Sequence, residues 1–121
     1  MCVEACIDEL IGKILTKINI NDEEDEIVFC CDDNSSYRMY HNQDCCESVT
    51  IEDICGDINN LIGYPIVMAE ESTNSCTNED YDESCTWTFY KFSTINGYVT
   101  IRWYGESNGY YSESVDFEKI K

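Results

Sequence analysis

The sequence predicts an α+β domain, an N-terminal helix packed on a mostly antiparallel β-sheet of about six strands. Three observations predict it. Apolar residues near the N-terminus recur at helical spacing, short apolar runs alternate with turn clusters through the middle, and an Asn-Gly dipeptide joins two aromatic-rich stretches in the last third. The 121 residues suit one domain over 1–121, with the helix in 1–20 and the sheet domain in 26–121.

The helix is read over residues 2–18. Val3, Ile7, Leu10, Ile11, Ile14 and Ile18 fall on one stripe, with acids early and lysines late, as the helix dipole prefers. Asn21 to Asp25 is a polar break. Glu26 to Cys31 and Tyr37 to His41 are apolar stretches flanking the turn cluster Asp32 to Ser36, which is a hairpin pattern. Ser48 to Asp53 alternates like a strand but could also enter a short helix. Asp57 to Gly63 is one helical turn, with Asp57 as cap and Gly63 as stop. Pro65 to Ala69 is a strand that tolerates proline at its start. Glu70 to Glu83 is polar and acidic, a surface loop or a long hairpin connection.

The C-terminal third predicts a three-stranded meander over Cys85 to Thr94, Tyr98 to Tyr104 and Tyr110 to Phe117. A type I′ turn at Asn96-Gly97 would place Phe92 opposite Ile101, Tyr90 opposite Trp103 and Lys91 opposite Arg102. The expected core is Ile7, Leu10, Ile14, Phe29, Val67, Val99, Ile101 and Trp103.

Composition narrows the function classes. The chain carries 25 Asp and Glu against 7 Lys and Arg, a formal net charge of −18. That opposes direct binding to nucleic acid or to anionic membrane. A 43% hydrophobic content opposes disorder. Nine cysteines with no secretion signal, no transmembrane-length apolar run and no Cys-x-x-Cys predict reduced, core-packing thiols in a cytoplasmic protein.

Three groups of residues are candidates for a site. Acidic stretches at Asp22, Glu23, Glu24 and Asp25 and at Glu79, Asp80, Asp82 and Glu83 could imitate a phosphate backbone and occupy a basic groove. Their alternative is a solvated face serving solubility. Trp87, Lys91, Arg102 and Tyr104 could clamp a phosphate and stack a base, unless the cations pair with carboxylates such as Glu106 or Glu113. His41, Cys45 and Cys46 could bind metal or do thiol chemistry. The alternative there is a structured loop whose acids bond backbone amides. No oxyanion-hole or base-orienting pattern accompanies them, so an enzyme is not expected, nor is a cofactor.

The run Tyr37-Arg38-Met39-Tyr40-His41-Asn42-Gln43-Asp44-Cys45-Cys46-Glu47 resembles an uncharacterised family of small phage and prophage proteins. The likeness continues in Thr86-Trp87-Thr88-Phe89-Tyr90-Lys91-Phe92 and in Ile101-Arg102-Trp103-Tyr104-Gly105 through Ser112, covering roughly residues 26–117. The resemblance implies a phage or mobile-element origin and a bacterial host cytosol. By class analogy it implies a counter-defence, anti-CRISPR-like role, in which a non-enzymatic inhibitor binds a host defence protein at its nucleic-acid groove. The other reading is a module that sequesters a nucleotide or cyclic-nucleotide signal. A homodimer through a sheet edge is compatible with either.

Overall fold

A computed structural model describes residues 3–43, 46–78, 83–108 and 112–121. Among the described residues nine strands form two antiparallel sheets. They are β1 (Val3–Glu4), β2 (Leu15–Ile20), β3 (Glu26–Cys31), β4 (Ser36–Tyr40), β5 (Ser48–Cys55), β6 (Met68–Asn78), β7 (Glu83–Thr94), β8 (Gly97–Ser107) and β9 (Asp116–Lys119). The first sheet runs β1-β9-β4-β3-β2 and the second β5-β8-β7-β6. Helical structure among the described residues is limited to two 3-10 turns, Ile7–Leu10 and Ile58–Leu61.

The predicted N-terminal helix is therefore overturned, and with it the α+β class. The physical reason lies at Gly12 and Thr16. Gly12 takes φ +89° and donates its N–H to Ile66 O at 2.7 Å, which stops the 3-10 turn after one round. The following residues pair with β3, and a bulge between Leu15 and Lys17 shifts the alternation by one residue. Ile7 and Leu10 face inward from the turn, Leu15 from before the bulge, and Ile18 and Ile20 pack in from after it. Those three local geometries together imitate a helical stripe.

The sheets pack face to face through alternating inward residues, as in a β-sandwich. Ile27, Phe29, Tyr37 and Met39 of the first sheet meet Tyr90, Phe92, Val99, Ile101 and Trp103 of the second in one core. The Phe29 and Phe92 ring centroids are 5.8 Å apart, and Trp103 Nε1 donates to Met39 Sδ at 3.2 Å. Six of the eight expected core residues are buried. Ile14 is only partly covered and Val67 is 63% exposed, because the inward position in that stretch belongs to Ile66. Residues 65–67 form isolated bridges and one hydrogen bond to Ser93, so the strand starts only at Met68.

The hairpin of β3 and β4 and the Asp57-capped turn match the expectation. Asp57 accepts from Asn59 N at 3.0 Å, and Gly63 has φ +91°. Part of the acidic stretch 70–83 is strand: β6 pairs with β7 from Met68 to Asn78. The three-stranded meander is also overturned. β8 has β5 as its second neighbour, and the chain after it crosses to the first sheet as β9, between β1 and β4.

The β7–β8 register is two residues from the predicted one. Phe92 pairs with Val99, Tyr90 with Ile101, Lys91 with Thr100 and Phe89 with Arg102. A shift of two keeps each side chain on its face, so the inward set is unchanged. The turn residues are Ile95 and Asn96, both with negative φ, and the left-handed position falls on Gly97 at φ +146°. Thr94 sets this turn. Its hydroxyl accepts from Asn96 N at 3.2 Å and donates to Asn60 O.

Candidate functional site: a carboxylate-lined trough

The apolar core does not run the full length of the sandwich. Along β7 the inward positions change from Phe92 and Tyr90 to Thr88, Thr86 and Ser84, and on β6 Ala69 gives way to Glu71, Thr73 and Ser75 across from them. A polar trough opens where the aromatics stop. The segment 112–116, which connects the second sheet to β9, runs along it as a strap.

Glu113 fixes the strap. It is 8% exposed, and its carboxylate accepts from Thr86 Oγ1 at 2.8 Å, from Ser84 Oγ at 3.3 Å and from Ser107 Oγ. Three hydroxyl donors offset the cost of burying that group. Gly105 of β8 makes the approach possible. A Cβ there would lie 2.9 Å from Glu113 O and 3.0 Å from Val49 Cγ2.

His41 holds the other side of the strap. Nδ1 lies 2.7 Å from Ser114 O and Nε2 2.9 Å from Glu47 Oε2, with both side chains buried. A backbone carbonyl only accepts, so Nδ1 carries a proton. Both ring nitrogens are occupied, which makes His41 a latch between the end of β4, Glu47 and the strap. Of the other two residues of the candidate Cys–His site, Cys46 is disulfide-bonded and Cys45 lies outside the described residues. Among the described residues no group of three or more His, Cys, Asp or Glu converges to hold a metal.

The candidate cationic–aromatic residues share one face of β7 and β8, where Trp87 pairs with Tyr104 and Arg102 with Phe89. The Trp87 and Tyr104 ring centroids are 5.2 Å apart at 48°, so the two rings contact each other. The Arg102 Nε lies 2.8 Å from Glu52 Oε1, off hydrogen-bond alignment, and an η-nitrogen is 3.9 Å from Asp53 Oδ2. The bulge between Ile51 and Asp53 brings both acids to that guanidinium. Lys91 lies opposite Glu70 on one side and Thr100 on the other, with Nζ 5.4 Å from the centroid of the Tyr98 ring. The carboxylate partners expected from the sequence are present, but they are Glu52 and Asp53 in place of Glu106 and Glu113.

The acidic stretches divide. Asp25 turns in to Asn21, whose side-chain oxygen caps the turn by accepting from Asp25 N at 2.9 Å and Glu26 N at 3.1 Å. Asp22, Glu23 and Glu24 are exposed. The Glu24 carbonyl accepts from Ile51 N at 2.7 Å, so this turn abuts β5 beside the exposed Glu52 and Asp53. Glu79, Asp80 and Asp82 lie outside the described residues, and Glu83 opens β7.

The thiols are not all reduced. Cys76 and Cys85 face each other across the β6–β7 ladder with Cα atoms 5.1 Å apart and form a disulfide. Cys6, Cys30, Cys31 and Cys55 are free.

The family model for a domain of unknown function, DUF7448, matches residues 8–117. The chain belongs to that family. No curated protein and no solved structure matches it. The DUF7448 match spans both sheets, from the first 3-10 turn into β9, and includes every trough residue named above. No helix among the described residues of this DUF7448 chain is long and apolar enough to cross a membrane.

The trough was missed from sequence because its parts are ordinary. Glu47, Glu71, Glu113 and Asp116 are scattered acids in an acid-rich chain. The readable signal was the alternation of Ser84, Thr86 and Thr88 at positions continuing the inward parity of Tyr90 and Phe92. Hydroxyls at core parity mark a buried polar partner.

Proposed function

We propose that this protein is a non-enzymatic binding protein that seats an acidic rim in the basic, nucleic-acid-binding groove of a partner protein. The observation that carries the reading is the hydrogen bond from Ile51 N to Glu24 O. It joins two acidic stretches distant in sequence into one exposed rim of Asp22, Glu23, Glu24, Glu52 and Asp53. Arg102, which offsets part of that charge, is committed to Glu52 and Asp53. A folded rim of carboxylates is complementary to a groove built for phosphates, and its long-range field speeds encounter. In the phage setting implied by the resemblance, the partner is a host defence protein and the compartment is the bacterial cytosol. That compartment would hold Cys76 and Cys85 reduced, and the ladder from Met68 to Asn78 would keep the register without the bridge.

The test is to capture the partner from the host and then measure its association with the purified protein across salt. The affinity should fall steeply between roughly 50 and 200 mM salt. Competing duplex DNA should displace the protein. The triple change Glu23→Gln, Glu24→Gln and Glu52→Gln should slow association. An affinity indifferent to salt and to competing nucleic acid would end the proposal.

A further inference from the structure

A cavity lies at the end of the trough, between the first 3-10 turn, β6 and β9. It has a volume of about 650 Å³, within the range of small-ligand sites. Its lining includes the apolar Ile7, Ala69 and Phe117 and the acidic Asp8, Glu71, Asp116 and Glu118. Glu118 is neutralised by Arg38. Asp8, Glu71 and Asp116 have no counter-ion among the described residues.

Tyr90 lines the same cavity, is 1% exposed, and its hydroxyl makes no hydrogen bond among the described residues. Glu71 sits directly across the ladder from Tyr90. Burial first, and then the charges of Glu71 and Asp116, push the Tyr90 hydroxyl up from its ordinary value. Open to the cavity and without a hydrogen-bond partner among the described residues, this hydroxyl is an acceptor left for a ligand beside two carboxylates.

We infer that this cavity binds a primary aliphatic ammonium group. Two carboxylates and one phenolic oxygen offer three acceptors to the three N–H donors of R–NH₃⁺, and the apolar lining residues accept its methylene stem. A guanidinium would present a planar fork of five donors instead. The group could belong to a lysine side chain of a basic partner or to a free diamine. The inference does not depend on the acidic rim, since Glu23, Glu24 and Glu52 do not line the cavity.

The test is a titration at about 0.15 M salt, a moderately screening strength, that follows the methyl signals of Ile7, Ala69 and Val115 by NMR. The probes are 1,5-diaminopentane, Nα-acetyl-lysine-N-methylamide and n-butanol. Saturable shifts confined to the cavity are expected with the two amines and not with the alcohol. The tighter amine identifies the source of the group. Tyr90→Phe should weaken binding roughly threefold to tenfold while leaving the melting temperature unchanged or higher, because the lost hydroxyl has no partner. Glu71→Gln with Asp116→Asn should remove the response. The inference is overturned if neither amine gives a saturable shift, if butanol matches them, or if Tyr90→Phe binds as wild type.

Discussion

Glu113 is a carboxylate whose burial is tolerable only because three hydroxyls converge on it. Glu113→Ala should destabilise the protein by about 2–4 kcal/mol in urea unfolding, since Ser84, Thr86 and Ser107 lose their acceptor inside the trough. Gly105→Ala should cost about 1–3 kcal/mol through overpacking, because the atoms it would meet include strap backbone. Surface charge behaves differently. Lys13 Nζ lies 2.7 Å from Asp33 Oδ2, and that hydrogen bond, followed by those from Ser35, holds the Asp33 carboxyl well below the usual carboxylate range. A depressed carboxyl favours the folded state above its ordinary value, and the contribution fades as pH falls through that value toward the depressed one. Lys13→Met should move the Asp33 titration back toward the ordinary range without removing the Ser35 share. Carboxyl-carbon NMR against pH would show either that shift or its absence.

At the level of elements, the Cys76–Cys85 bridge closes a separation of nine residues between two strands already in register. Reduction should lower stability by roughly 2–3 kcal/mol on loop-entropy grounds. It should leave the sheet intact, seen as an unchanged far-ultraviolet circular dichroism spectrum with a lower melting temperature. Elements with one uniform periodicity were legible in the sequence. β3, β4 and β8 bury every second residue, and their alternation and turn chemistry agree. The N-terminal segment was not legible, because a 3-10 turn, a left-handed glycine and a bulge each reset the phase. The β7–β8 turn was misplaced by one residue because Thr94 binds the distant Asn60, a tertiary contact that outweighs the local Asn-Gly preference. The trough was illegible for a related reason. His41 and Ser114 are 73 residues apart, and Thr86 and Glu113 are 27 apart.

For the whole molecule, a charge of −18 makes salt a lever with two opposite effects. Screening relieves self-repulsion within the fold, so raising salt from about 50 to 500 mM should stabilise the isolated protein by on the order of 1 kcal/mol, about 4 °C in melting temperature. The same change should weaken its complex with a basic partner. A melting temperature that fell with added salt would show that attractive pairs such as Arg102 with Glu52 outweigh the repulsion. The position of β9 carries a consequence for biosynthesis. It sits between β1 and β4 in the first sheet, yet it follows all four strands of the second in the chain. A ribosome that has delivered everything through β8 has therefore released a nascent polypeptide whose second sheet can close while β4 still exposes an unpaired edge. Contacts of such long sequence separation form slowly, on the millisecond-to-second scale of sandwich topologies. During that interval the open edge is the part of the chain most prone to pair with a neighbouring copy.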